Sequence, residues 1–288
     1  MLARGGRRPS IVVETAVRTA ARPVARERLV ALAERSWRPF ALLAAGYAIW
    51  WAVTQFGLVA AYKLPSPGAT FQAIWNEVGY FAHHTWVTTF ETLLGFAVAL
   101  VLGVLAAVVM VTSAEIEKTL YPLLLFAQVV PKVAIAPLFV VWLGFGLTPR
   151  VVVAVLIAFF PVVVSMVTGL KSVDPEMLQL ASTMGASKVK TFVKIRFPAS
   201  LPHLFSGLKV AVTLAVTGAV VGEFVGGNEG LGSVILQANG NLDTPMLFAG
   251  LVVLSLLGVV LFVAVEFAEQ LLMPWHASRR GETVTVTY

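Results

Sequence analysis

The stretch QLASTMGASKVKTFVKIRFPASLPHLFSG, residues 179–207, decides how this chain is read. It is basic, its apolar residues recur at helical spacing, and Gly185 and Pro198 interrupt it. Just upstream, Asp174 suits an N-cap, Pro175 the first helical position and Glu176 the positive end of a helix. Leu178, Ala181 and Met184 share one face, and Gly185 is a natural stop. Ser187 caps a second helix, KVKTFVKIRF, with Val189, Phe192 and Val193 on one side and Lys188, Lys190 and Lys194 largely elsewhere. Pro198 is expected to end that helix, and Ser200 and Pro202 to start the next one. Such punctuation predicts a helix–turn–helix and not a slack loop.

The surroundings make this element unusual. The chain has 288 residues, 58% of them hydrophobic and 12% charged, with a mean hydropathy of +0.85. Soluble domains run at about 45–50% apolar and about 25% charged, so this composition is that of an integral membrane protein. Cysteine is absent, which excludes disulfides and thiolate metal sites. The expected fold is all-α and polytopic, with six membrane-spanning helices and the basic helix pair between spans four and five.

A span needs about 20 mainly apolar residues. The six candidates are Phe40–Tyr62, Thr92–Val111 (extended N-terminally past Glu91), Leu120–Leu147, Val151–Leu170, Leu204–Val225 and Pro245–Val265. The third is interrupted by Pro122, Pro131, Lys132 and Pro137, and the fourth contains Pro161. Lys171, Lys188, Lys190, Lys194, Arg196 and Lys209 lie between spans four and five or at the start of span five. Residues 226–244 hold no Lys or Arg. The positive-inside rule then puts the basic element, the N-terminus and Arg279–Arg280 in the cytoplasm, with Arg150 and Lys63 as mild exceptions. The net charge of +6 is therefore topological, which removes nucleic acid as a partner.

The domain reading is a basic N-terminal tail (1–38), a six-span body (39–275) and a short C-terminal tail (276–288). Nine Arg against three Glu mark the first tail, which suits either a disordered tail or a helix lying on the membrane surface. No run there is apolar enough for a cleaved signal segment. Chemistry of other kinds finds little support. No G-x-x-x-x-G-K-[ST] loop is present, so ATP must act on another chain, and neither a nucleophile–base pair nor a paired carboxylate stands out. His83 and His84 are adjacent and point apart on a helix, so no metal site is expected. His203 and His276 lie near cytoplasmic ends. GGNEGLGS, residues 226–233, reads as a flexible outer turn or a binding-protein contact. Gly95, Gly103 and Ala107, spaced by eight and four, suit close helix packing.

Composition alone leaves two roles for the basic element: packing on the bundle's cytoplasmic face, or docking a partner through an apolar tip flanked by cations. The stretch resembles the cytoplasmic loop of prokaryotic ABC importer permeases, with pattern E-A-A-x3-G-x9-I-x-L-P. Here the positions fall on Gln179, Leu180 and Ala181, then Gly185 (followed by Ala186), then Ile195, Phe197 and Pro198. The spacing matches, while Gln, Leu and Phe replace Glu, Ala and Leu. LPSPGATF (64–71), VPKVAIAPLFVVWLGFG (130–146), GEFVGGNEGLG (222–232) and LDTPMLFAGLVVLSLLG (242–258) are similar to permeases of the nitrate, sulfonate, taurine and bicarbonate group. The function this implies is inward transport of a small organic or anionic solute, sulfonate-, nitrate- or taurine-like, with thiamine-precursor pyrimidines or flavins, served by some similar permeases, as the alternative cargo. The resemblance spans about residues 63–275. It implies a permease homodimer in the prokaryotic inner membrane, cytoplasmic ATPase subunits, an extracytoplasmic solute-binding protein and no cofactor on this chain. Residues 172–203 would couple to the ATPase.

Within the spans, an intramembrane Lys132 faces a cavity or a partner. With Gln128, Pro131 and Glu223 it forms the candidate translocation path. A structural Lys132 bonded to carbonyls is the competing reading. Glu223 can pair with Lys132 across a dimer, face the binding protein or act locally, and Glu91 reads as interfacial. A channel or secondary transporter needing no ATPase is the alternative from another class, and a membrane scaffold is a third.

Overall fold

The computed structural model describes residues 25–274. The tail residues 1–24, Arg279, Arg280 and His276 lie outside them. The chain divides into two units at Leu58. In the first, α1 runs over Ala25–Gln55, with Phe40–Gln55 as its apolar part. The expected first span, Phe40–Tyr62, therefore stops seven residues early. Gly57 adopts φ 65°, and Leu58 N–H reaches back to Val53 O at 3.2 Å. This is a glycine-terminated helix end.

The second unit holds the remaining elements: α2 (Pro67–Asn76), α3 (Val78–Thr112), α4 (Ala114–Val129), α5 (Lys132–Leu143), α6 (Leu147–Lys171), α7 (Pro175–Thr183), α8 (Lys188–Thr191), α9 (Phe197–Gly226), α10 (Leu231–Gly240) and α11 (Thr244–Leu272). No strand occurs among the described residues. Four stretches are long and apolar enough to cross a membrane: α3, α6, the run Lys188–Gly226, and α11. The expected third span is instead α4 and α5, bent by 91° where Pro131 offers no N–H and Val130 is extended. With that pair counted as one, the described residues hold five spans and the shorter apolar helix of α1. The described residues thus do not confirm the exact count of six.

The centre of the second unit is the packing of α6 on α9, flanked by α3. Glycine makes it close. A Cβ on Gly218 would fall 2.6 Å from Ala154 Cα, and one on Gly222 would fall 2.6 Å from Arg150 Cα. On α3, Gly95 faces Ala154 and Gly103 faces Val162, while Ala107 is fully buried, as the eight-and-four spacing predicts. In a bilayer, where lipid is as apolar as leucine, association relies on such contact between backbones. One apolar cluster, including Met166, Leu170, Leu204 and Leu208, sits toward the α7–α8 end. A second, including Phe81, Val216, Leu231 and Leu257, sits toward α10.

Candidate functional site

The α7–α8 element is built from caps that the sequence announces. Asp174 accepts from Glu176 N–H at 2.9 Å, and Ser187 accepts from Lys190 N–H at 3.3 Å. Between the two helices Gly185 takes φ 75°, and Ala186 N–H bonds Ala181 O at 3.0 Å. Ala181 is buried while Gln179 faces out. Met177, Leu180 and Met184 form an exposed apolar stripe, with Met184 79% exposed.

The second helix does not end at Pro198. From α8 the backbone widens into a π-turn over Phe192–Arg196, closed by Phe197 N–H bonding Phe192 O, and continues without a break into α9. A widened turn absorbs the donor that proline lacks, so Pro198 sits in the first turn of α9 and no restart at Ser200 is needed. Ser200 is buried and donates to Phe197 O at 2.7 Å. Ile195, Phe197 and Pro198 are half-buried, and the Phe192 and Phe197 rings lie 6.3 Å apart. α8 and the 30-residue helix α9 are thus one continuous helical rod, to which α7 is joined by the Gly185 turn.

Lys132 opens α5, just past the bend. Its Nζ donates to Gln128 O at 2.9 Å and lies 4.5 Å from the centre of the Phe160 ring. The partner is the Gln128 carbonyl, and the Gln128 side chain is exposed. Pro131, also exposed, is the N-cap of α5.

Toward the other end lies a buried polar cluster that the sequence reading did not assemble. Glu91 is 1% exposed and its Oε1 meets Arg150 Nη1 at 2.6 Å. Glu91 is therefore not interfacial, and Arg150 is no exception to the charge rule, because it neutralises a carboxylate inside the bundle. The signal was available: two intramembrane charges of opposite sign call for each other. Glu223 is fully buried, accepting from Thr88 Oγ1 at 2.7 Å and from Gly232 N–H at 2.5 Å. Thr88 Oγ1 also accepts from Leu231 N–H at 2.8 Å, and His84 Nδ1 accepts from Gly230 N–H at 2.9 Å. The N–H groups of Gly230, Leu231 and Gly232, which open α10, are thus taken by side chains of α3 and α9. The C-terminal half of GGNEGLGS, from Gly230 to Ser233, is thus held by hydrogen bonds. Gly230, at φ 100°, leaves the room that the Glu223 carboxylate fills. Within one chain Glu223 does not bond Lys132 among these contacts.

This is a helical bundle that buries charge in pairs, breaks one span at a lysine, and exposes an apolar-tipped element on the end of a central rod. These are features of a polytopic membrane protein. The family model for the inner membrane component of binding-protein-dependent transport systems matches residues 99–274, and the chain belongs to that family. A formylaminopyrimidine transport permease of Halalkalibacterium halodurans is 38% identical over 78% of this chain and 91% of its own length. A riboflavin transport system permease of Chloroflexus aurantiacus is 35% identical over 76% and 82% respectively. A putative aliphatic sulfonates transport permease of Bacillus subtilis is 29% identical over 81% and 86%. Among solved structures, a methionine ABC transporter in an inward-facing conformation aligns with TM-score 0.59 at 19% identity, covering 69% of this chain and 97% of the other. The chain is a multi-pass permease of the ABC importer type, a transporter subunit and not an enzyme, and ATP hydrolysis belongs to a separate partner.

Proposed function

We propose that two copies of this chain form the translocation unit, with ATPase subunits seated on the α7–α8 element and a solute-binding protein on the α10 side. The observation that carries the reading is the continuous rod from α8 into α9. A displacement of the exposed tip by a closing ATPase crosses the tight Gly185 turn into α8 and passes from there along one helix to the α6–α9 core. Gln179, Ala181, Gly185, Ala186, Ile195, Phe197 and Pro198 supply the shape of that element. Its cations, with the Arg-rich first 38 residues, favour a cytoplasmic location for this end and for both termini. The domain boundaries at residues 38 and 275 belong to the same reading.

Lys132 lies at the break between α4 and α5, where freed carbonyls and a cation meet, and we assign it with Gln128 and Pro131 to the path. Glu223 belongs to the clamp that holds α10 to α3 and α9. The solute we favour is a nitrogen heterocycle of the aminopyrimidine or flavin class, because relatives named for those solutes are 38% and 35% identical, against 29% for a sulfonate relative. The test is uptake into liposomes holding the permease, its ATPase and its binding protein, with labelled aminopyrimidine, riboflavin and taurine offered in parallel. ATP-dependent uptake of a heterocycle is expected. Uptake by the permease alone without ATP would overturn the importer reading, and preferred uptake of taurine would overturn the solute assignment.

A further inference from the structure

A cavity of about 580 Å³ opens between the end of α3 and the inner side of the α7–α8 element. Val108, Val111 and Thr112 form one wall, and Leu178 and Ser182 of α7 form another. Two cations, Lys188 and Arg196, line it, and no acidic side chain does so among the described residues. At this end Lys171 pairs with Glu117 and Lys209 with Glu269, while Lys190 and Lys194, outside the cavity, form no ion pair among the described residues. Lys188 and Arg196 have no ion-pair partner among the described residues. Two unneutralised cations facing one cavity form a site for an anion.

The walls say which kind of anion. Val101, Leu105, Val108 and Thr112 are spaced four, three and four apart, so they form one stripe along α3. Val101 and Leu105 are each 57% exposed, on a helix long and apolar enough to cross the membrane. That stripe leads from the lipid-facing surface directly into the cavity, ending at Val108 and Thr112 in its wall. The exposed stripe Met177, Leu180 and Met184 lies about 150° around α7 from Leu178 and Ser182, counting 3.6 residues per turn. The face offered to an ATPase and the face lining the cavity are therefore different faces of the same helix. We propose that the cavity holds the phosphate headgroup of an anionic phospholipid, bound by Lys188 and Arg196, with an acyl chain along the Val101–Leu105 stripe. The proposal rests on the reading of the α7–α8 tip as the ATPase seat. Lipid so placed fills the space behind the coupling element and stiffens its contact with α3.

The test uses the assembled transporter, permease with ATPase, in equimolar phosphatidylglycerol and phosphatidylcholine, with retained lipid identified by native mass spectrometry. Each cation at a membrane surface contributes enough that the pair should favour phosphatidylglycerol by roughly tenfold or more. Lys188→Gln with Arg196→Gln should remove that preference. Lys190→Gln with Lys194→Gln, an equal charge change on residues that do not line the cavity, should alter it by less than about threefold. Equal retention of the two lipids by the wild type, or equal loss in both double variants, overturns the proposal. Displacement of the lipid by millimolar inorganic phosphate would show a free-anion site and overturn it as well. So would lipid held by the permease alone and expelled when ATPase binds, since the cavity would then belong to the ATPase seat. Co-purification of ATPase, read in the same samples, reports separately on the functional reading: its failure in the wild type would overturn that reading, whatever the lipid result.

Discussion

Replacing Arg150 by methionine isolates the energetics of the buried cluster. The guanidinium is 9% exposed and the Glu91 side chain 1%, and their contact is one 2.6 Å bond between Nη1 and Oε1. Among the described residues Glu91 Oε2 and Arg150 Nε have no hydrogen-bond partner, and Arg150 Nη1 adds only a long 3.5 Å contact to Glu229 O, so little else compensates either group. Arg150→Met leaves a carboxylate stranded in the bundle, and removing one partner of a buried pair costs about 3–5 kcal/mol. Glu91→Gln is milder, because the amide oxygen still accepts from Nη1. It loses the charge assistance, about 1–2 kcal/mol. For a chain of this size each kcal/mol moves the melting temperature by roughly 2–4 °C. Arg150→Met should therefore melt about 6–20 °C below wild type, and Glu91→Gln about 2–8 °C below. The double variant Glu91→Met/Arg150→Met removes both charges with similar volume, so it should melt above the Arg150→Met single variant. Thermal unfolding of the detergent-purified permease, followed by tryptophan fluorescence, measures all four proteins. An Arg150→Met variant melting within about 2 °C of wild type, or a double variant melting at or below Arg150→Met, would refute the pairing argument.

Three more outcomes follow from the geometry. Gly218→Ala places a Cβ 2.6 Å from the Ala154 backbone, so α6 and α9 must part. A loss of about 1–3 kcal/mol is expected in the same melting assay, where an unchanged melt would count against the close packing. Gly185→Leu meets no atom within 4 Å but must hold φ 75°, costing about 1–2 kcal/mol locally. It should lower transport per ATP hydrolysed while Gly185→Asn, which tolerates that conformation, retains more, and equal coupling in both would deny the turn a role. Lys132→Ala should reduce solute uptake several-fold with ATPase association intact, read by co-purification and liposome uptake. Unchanged uptake would leave Lys132 as a structural bond to Gln128 O.

The parts of this protein legible in its sequence are those governed by local rules. Four of the long helices follow from runs of apolar residues, because the bilayer requires internally bonded segments of a minimum length. Asp174, Gly185 and Ser187 announce their turn, because capping and positive φ are decided within a few residues. The glycine and alanine spacing on α3 points correctly to a packed face. The three-dimensional arrangement decided what depends on distant partners. Pro198 lies within a continuous rod because a π-turn beside it relieves the missing donor, and two residues further on Ser200 packs closely on Gly169 of α6. Glu91 and Arg150 lie 59 residues apart and Thr88 and Glu223 135 apart. Such pairs carry no periodic signature, so only the assembled bundle brings them within bonding distance. The cavity of about 580 Å³ behind the α7–α8 element has the same origin. It exists where α3 ends against α7, and its two cations look like ordinary topological charges until the fold brings both to the wall of one cavity.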